Sequence, residues 1–245
     1  MTRLLLLAGT GEARQIGHAL AQESLMTTVA SLAGSTRTPI SLGVPTRIGG
    51  FGGRAQFAEY LKHEGITAVL DATHPFAAAM SHRTSEVCAE MGIPYMQFLR
   101  PSWKPGEGDA WTFLNTEEDA AKYIPEGSVV FLATGPATVE RFSNLRNCTV
   151  YCRRIDPPTK PFPFEGGSYL PGRPPFSVED EMELFFDLKV DWLVVKNSGG
   201  SASRSKLDAA RDLGIPVALI RRPRQPEGPR VTTVSEALAW VRRMK

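Results

Sequence analysis

The chain opens on a short apolar run that ends in glycine. Leu4 to Ala8 is five apolar residues, followed at once by Gly9-Thr10-Gly11-Glu12-Ala13. A membrane span needs roughly 18 such residues and a secretion signal about 7–15, so the run reads as a buried strand. Beyond the glycines, Ala13, Ile16 and Leu20 recur at helical spacing. Strand, glycine turn and helix together form the arrangement that holds phosphates at the start of an α/β sheet. Gly9 permits the tight turn, and Gly11 lets the backbone approach a pyrophosphate with no Cβ in the way. The amides and positive end of the helix complement the charge. The third glycine of such a turn is missing at its usual spacing, and Ala13 and Gly17 are at hand for its close-packing role. A plain turn that binds nothing would use the same residues. As a cofactor site, the contacts are Gly9, Thr10, Gly11, Glu12 and Ala13.

Apolar runs alternate with helix-period segments over the first hundred residues, which predicts parallel strands joined by crossover helices. Strands are expected at 3–8, 27–32, 68–71 and 93–98, with helices at 12–23, 57–64 and 77–91. Between Arg100 and Asp109, prolines, glycines and an exposed-looking Trp103 mark a domain crossing. A second alternation follows. Asn115 and Glu118 make a capping box for a helix to Tyr123, and strands are expected at 129–133, 150–153, 192–195 and 217–220. Ser177 caps a helix to about Asp187, 204–213 forms another, and the box Thr233–Glu236 opens a last one. Residues 156–176, thick with proline, are expected to be a long irregular connection. The fold class is therefore α/β, with two Rossmann-like domains whose parallel sheets face each other across a cleft. The expected division is a dinucleotide-binding domain over 1–100 and a substrate domain over 101–245. A chain of 245 residues with 42% hydrophobic content can bury both cores.

Several classes are excluded. Cys88, Cys148 and Cys152 are odd in number and lack CxxC spacing, against a disulfide framework or a metal site. A net charge of +2 is too small for a general nucleic-acid binder. With no membrane-length run and no export signal, the expected compartment is the cytoplasm. There is no HExxH, no GxSxG, and no tyrosine followed four residues later by lysine.

The cofactor type follows from an absence. NAD domains usually place an acid at the end of the second strand to hold the ribose hydroxyls. No Asp or Glu occurs from Ser24 through Ala58, and Ser35, Thr36 and Arg37 stand there instead. Two hydroxyls and a guanidinium suit a ribose 2′-phosphate, so NADPH is expected over NADH. Arg37 also suits a solvated loop.

Asp71-Ala72-Thr73-His74-Pro75-Phe76 falls where a strand ends and a helix begins. Ligands of parallel sheets bind at such ends, so Thr73, His74 and Pro75 join the cofactor contacts. His74 fits three roles, cofactor contact, proton donor or structural partner of Asp71, and these stay open. Lys196-Asn197-Ser198-Gly199-Gly200 follows another strand, and its charge, amide, hydroxyl and glycines suit a polar or anionic ligand. Gly49-Gly50-Phe51-Gly52-Gly53 is similarly permissive. From Arg146 to Arg173 five basic residues, including Arg153 and Arg154, face two acidic ones. That field suits a substrate with several carboxylates.

Taken in order, Leu-Ala-Gly-Thr-Gly-Glu-Ala at 7–13, Asp-Ala-Thr-His-Pro-Phe-Ala at 71–77, Arg-Pro-Ser-Trp at 100–103, Pro-Phe-Ser at 175–177, Lys-Asn-Ser-Gly-Gly at 196–200 and Lys-Leu-Asp-Ala-Ala-Arg at 206–211 resemble the precorrin-6A reductases of cobalamin biosynthesis. Arg173-Pro174 departs, standing where that family more often has glycine. The resemblance implies hydride transfer from a reduced nicotinamide to a carbon–carbon double bond of precorrin-6A, a macrocycle bearing acetate and propionate arms. It also implies other cobalamin-pathway enzymes as potential partners. Gly9–Ala13 and Ser35–Arg37 would then hold NADPH, with His74 near the nicotinamide. Lys196–Gly200, Arg153 and Arg154 would grip carboxylates, and the general acid is His74, Lys196 or water. The rival readings are a cobalt-precorrin-6A reductase of the anaerobic branch, a non-catalytic NADPH-binding regulator and a nucleotide-sugar or other small-molecule reductase.

Overall fold

A computed structural model describes residues 2–24, 26–34 and 37–244. The chain enters with β1 (Thr2–Leu7), α1 (Gly11–Leu20), β2 (Met26–Leu32), β3 (Thr46–Ile48), α2 (Arg54–His63), β4 (Ala68–Asp71), α3 (Ala78–Met91) and β5 (Tyr95–Phe98). It continues with β6 (Trp111–Leu114), β7 (Val129–Leu132), β8 (Thr149–Arg154), β9 (Gly167–Pro171), α4 (Val178–Asp187), β10 (Trp192–Lys196), α5 (Ser205–Asp212) and β11 (Val217–Ile220). It ends with β12 (Arg230–Val231) and α6 (Val234–Arg242). Two units result. One holds the residues up to Pro101 together with those from Pro223 onward, and the other is Ser102–Arg222.

This corrects the expected boundary of 101–245. The described residues from Pro223 onward, α6 included, return to the first unit. There β12 pairs in parallel with β5, Arg230 beside Gln97 and Val231 beside Phe98. α6 brings Ala237, Trp240 and Val241 into the same cluster as Ala13, Ile16 and Leu20 of α1.

Among the described residues the first unit's sheet runs β12-β5-β4-β1-β2-β3, every pairing parallel. Side chains alternate across a strand. Leu4 and Leu6 of β1 pack with α1 and α6, while Leu5 and Leu7 pack with Phe57 and Leu61 of α2 and Val87 of α3. A stretch of strand between two helical layers must be apolar at every position, which is why Leu4–Leu7 of β1 reads as an unbroken run.

The second sheet runs β6-β11-β10-β7-β8-β9, again parallel throughout. Phe131, Leu193, Val195, Val217 and Leu219 pack with Phe185 of α4 and Leu207 of α5. Two crossovers here are 3-10 turns, Glu118–Lys122 and Pro136–Phe142, rather than α-helices. The expected Asn115 cap is replaced by Asp119, whose Oδ2 accepts from the Asn115 and Thr116 N–H groups at 3.1 Å each. The proline-rich stretch 156–176 is also not wholly irregular, because β9 lies inside it and pairs with β8 from Val150–Gly167 to Arg154–Pro171. Trp103, expected to be exposed, is buried, its Nε1–H donating to the Gly200 carbonyl at 2.7 Å.

Candidate functional site

In each sheet three consecutive strands run outward from a central one, and the next strand starts again on its other side. In the first sheet that reversal falls between β1 and β4, in the second between β7 and β10. The crevice outside the carboxyl ends of the strands at such a reversal is where open parallel sheets bind ligands.

At the first reversal the two loops singled out in the sequence lie side by side. Thr10 caps α1, its Oγ1 accepting from the Ala13 N–H at 3.1 Å and donating to the Ala72 carbonyl at 3.0 Å. One hydroxyl thus fixes the helix start and ties the β1 turn to the end of β4. Gly9 has φ +148°, which an L side chain resists. Gly11 opens α1, and a Cβ there, like one on Gly9, would meet nothing within 4 Å beyond its chain neighbours and its own helix turn. Gly17 differs, since its Cβ would collide with the Leu42 carbonyl, so close packing is its role. Ala13 is fully buried. Glu12 is bound to Arg100 at 2.7 Å, which balances a carboxylate beside the helix start.

Across the crevice, Asp71 is buried and accepts from the Thr73 N–H (3.1 Å), the Thr73 hydroxyl (2.7 Å) and the Tyr95 hydroxyl (2.9 Å). Burial and this carboxylate hold the Tyr95 phenol far above its usual range. Burial, with the same carboxylate adding to it, pushes the Cys88 thiol up to about 12. The Thr73 hydroxyl therefore anchors the loop. His74 Nδ1 accepts from the Phe76 N–H at 3.3 Å, so a neutral ring in this geometry carries its proton on Nε2. The Pro75 carbonyl accepts from Gln225 Nε2 at 2.9 Å, and Gln225 Oε1 accepts from Gln97 Nε2 at 2.9 Å. The returning C-terminal segment thus props the His74 loop, which local reading of the sequence could not reveal.

Arg37 is exposed, while Ser35 and Thr36 lie outside the described residues. A second guanidinium near the end of β2 was missed. Arg47 donates to Ser31 Oγ (2.8 Å) and to the Gly49 and Gly50 carbonyls (2.9 and 3.0 Å), and lies 4.0 Å over the Phe51 ring. Its position two residues before the glycine-rich loop was the available signal.

At the second reversal, Lys196 ends β10. Its Nζ lies 3.3 Å from Thr138 Oγ1 and 3.8 Å from Glu117 Oε1. Asn197 is committed to Trp103, accepting from its N–H at 2.8 Å and donating to its carbonyl at 3.1 Å. Arg222 donates to the Asn197 and Ser198 carbonyls at 2.7 and 2.9 Å. Gly199 and Gly200 have φ +66° and +81°, which glycine adopts without strain. The 196–200 loop is thus braced from both sides.

Arg153 does not present its fork to a ligand. It closes on Glu181, Nη1–Oε1 2.6 Å and Nη2–Oε2 2.8 Å, between Phe131 (4.8 Å) and Phe176 (4.2 Å). Glu181 is fully buried, so the expected grip on substrate carboxylates is satisfied by the chain's own carboxylate. Arg154 sits 5.1 Å over Tyr169 instead, and its buried Nε lacks a hydrogen-bond partner among the described residues.

Beside the Arg153–Glu181 pair, burial holds the Lys206 ammonium down to about 8 from its ordinary 10.5, Glu181 pulling it back up and Arg153 pressing it down. Between those two values the unfolded chain binds more protons than the folded one, so this residue makes stability rise with pH from about 8 to 10.5. Lys206→Met is expected to stabilise the protein at pH 7 by up to about 3 kcal/mol and to flatten that rise. Urea unfolding at neutral and alkaline pH measures both effects, and equal stability of wild type and variant at each pH would refute the burial cost.

Two parallel sheets with polar loops at their reversals, the first beginning in a capped glycine turn, define a doubly wound α/β protein with a dinucleotide-type opening. The chain belongs to the precorrin-6x reductase CbiJ/CobK family, whose model matches residues 3–242. It is 42% identical over 243 residues to a precorrin-6A reductase of Rhodococcus erythropolis, covering 98% of each chain. It is 39% identical to one of Rhodobacter capsulatus, covering 98% of this chain and 96% of that one. A cobalt-precorrin-6A reductase of Priestia megaterium is 28% identical, covering 96% of each. The solved structure of a CobK precorrin-6A reductase superposes with TM-score 0.94 at 39% identity, covering 99% of this chain and 97% of that one. The chain is accordingly a reductase.

Proposed function

We propose that the chain transfers hydride from NADPH to a carbon–carbon double bond of precorrin-6A, the metal-free macrocycle. The observation that carries the cofactor half is the open space over Gly9 and Gly11 at the capped start of α1. Protein packing does not require a glycine at position 11, and a pyrophosphate lying against that backbone does. When bound, NADPH supplies the hydride. Gly9, Thr10, Gly11 and Ala13 present backbone and helix end to the pyrophosphate, with Glu12 held aside by Arg100. Arg37, with Ser35 and Thr36, takes the 2′-phosphate, and the lack of an acid from Ser24 through Ala58 supports NADPH over NADH. Thr73, His74 and Pro75 form the opposite wall of the crevice. Lys196 supplies the proton, and Ser198, Gly199, Gly200 and Arg154 receive substrate carboxylates. Identity of 42% to a relative named for the metal-free substrate, against 28% to one named for the cobalt form, supports the metal-free macrocycle. The reading extends to a cytoplasmic enzyme that works alongside other enzymes of cobalamin biosynthesis.

The test is NADPH oxidation followed by absorbance, with precorrin-6A, with its cobalt form and with neither, and with NADH in parallel. Oxidation that requires the metal-free tetrapyrrole and prefers NADPH is expected. Cofactor binding without oxidation by either tetrapyrrole would mark a regulator instead.

A further inference from the structure

Three strand ends of the second unit converge on Lys196. Glu117 lies three residues beyond β6, Lys196 ends β10, and Thr138 and Arg141 sit on the 3-10 turn that follows β7. Glu117 Oε1 is 3.8 Å from Lys196 Nζ, and Arg141 Nη1 holds the other oxygen, Oε2, at 3.3 Å. The Glu117 side chain is 8% exposed and that of Lys196 15%, whereas Arg141 is 57% exposed. Cys152 of β8 also stands near the ammonium, its own thiol pushed up to about 11 by burial and so neutral at physiological pH. A lysine confined here is pulled two ways. Burial drives its ammonium toward the neutral amine, the Glu117 carboxylate opposes that, and the Arg141 guanidinium reinforces it.

We propose that Glu117 is a positioning residue for the reduction, keeping Lys196 charged and directed at the carboxyl end of the central strands so that it can deliver a proton. The inference rests on the reading of Lys196 as proton donor. As hydride arrives at one carbon of the double bond, the π pair is left on its neighbour. That carbon forms a C–H bond while one Nζ–H bond of Lys196 breaks, and the neutral amine regains a proton from water. The macrocycle gains two electrons and the nicotinamide loses two. Glu117 touches no reacting atom and acts through the fraction of Lys196 that carries the proton.

The experiment is single-turnover NADPH oxidation with precorrin-6A from neutral to alkaline pH, using the full chain and the variants Glu117→Gln, Arg141→Gln and Lys196→Ala. A required ammonium gives a rate that falls on the alkaline side as it deprotonates. Glu117→Gln is expected to move that fall to lower pH and Arg141→Gln to move it to higher pH, both with unchanged NADPH affinity. Lys196→Ala is expected to lose about a hundredfold or more in rate and the pH dependence with it. Opposite shifts are something a merely structural ion pair would not produce. If Lys196→Ala is slow but neither charge variant moves the profile, Glu117 has no positioning role. A wild-type rate in Lys196→Ala removes the proton-donor reading itself. Arg141 is exposed, so Arg141→Gln stays readable even if Glu117→Gln fails to fold, and in that case an unmoved profile in Arg141→Gln overturns the proposal.

Discussion

Gly11→Val is expected to leave the melting temperature essentially unchanged while weakening NADPH binding roughly ten- to a hundredfold. The fold tolerates the change because a Cβ at Gly11 comes within 4 Å of nothing beyond its chain neighbours and its own helix turn, and helical backbone suits valine slightly better than glycine. The cofactor does not tolerate it, because branched methyls then occupy the surface the pyrophosphate lies against. Overpacking of this kind costs about 1–3 kcal/mol, which corresponds to the stated range in affinity. Gly17→Ala, two turns along the same helix, is expected to behave in the opposite way. Its methyl group runs into the Leu42 carbonyl, so the loss of about 1–3 kcal/mol appears in stability instead of binding. Thermal melts and a fluorescence titration with NADPH on the two variants separate the roles. Undiminished NADPH affinity in Gly11→Val would remove this turn from the cofactor site.

Glu181→Ala is expected to destabilise the protein by about 3–5 kcal/mol, because it leaves the Arg153 guanidinium buried against two aromatic rings without its carboxylate. The double variant Arg153→Met, Glu181→Leu removes both charges and is expected to recover most of that loss, since an apolar pair of similar volume is often no worse than a buried ion pair. The double variant also settles the function of Arg153. If Arg153 gripped substrate carboxylates, KM for the tetrapyrrole would rise sharply even with stability restored, and an unchanged KM is expected. Urea unfolding of the two variants, read beside their kinetics, checks both halves. A loss below about 1 kcal/mol in Glu181→Ala would mean that water reaches the guanidinium.

The central strands were legible in the sequence because burial on both faces forces them to be apolar throughout. The four strands that escaped notice, β3, β6, β9 and β12, are the four edges of the two sheets. An edge strand has one neighbour and needs little hydrophobicity, so Thr46-Arg47-Ile48 and Arg230-Val231 look like loop. The glycine turn and the His74 loop were readable because each joins a strand to a helix within a few residues. Their bracing was not, since Gln225 is 150 residues from Pro75 along the chain. Arg153 announced itself by charge, but its partner Glu181 is 28 residues away in the first turn of α4, where an acid is already explained by the helix dipole. Glu117 was hidden in the same way. Nothing near it in the chain suggests a lysine, and only the strand order brings Lys196 to it.

Because β12 and α6 follow Arg222 in the chain, the whole of the second unit is made before the first unit can be completed. When Arg222 is added, the first sheet still lacks an edge strand and one of its covering helices. Leu4, Leu6 and Ile16 wait for Trp240 and Val241 to complete their shared core. The inserted unit is the one able to close its sheet first, contrary to the usual tendency of N-terminal domains to fold ahead. A cut after Arg222 would therefore fall hardest on the unit that carries the glycine turn.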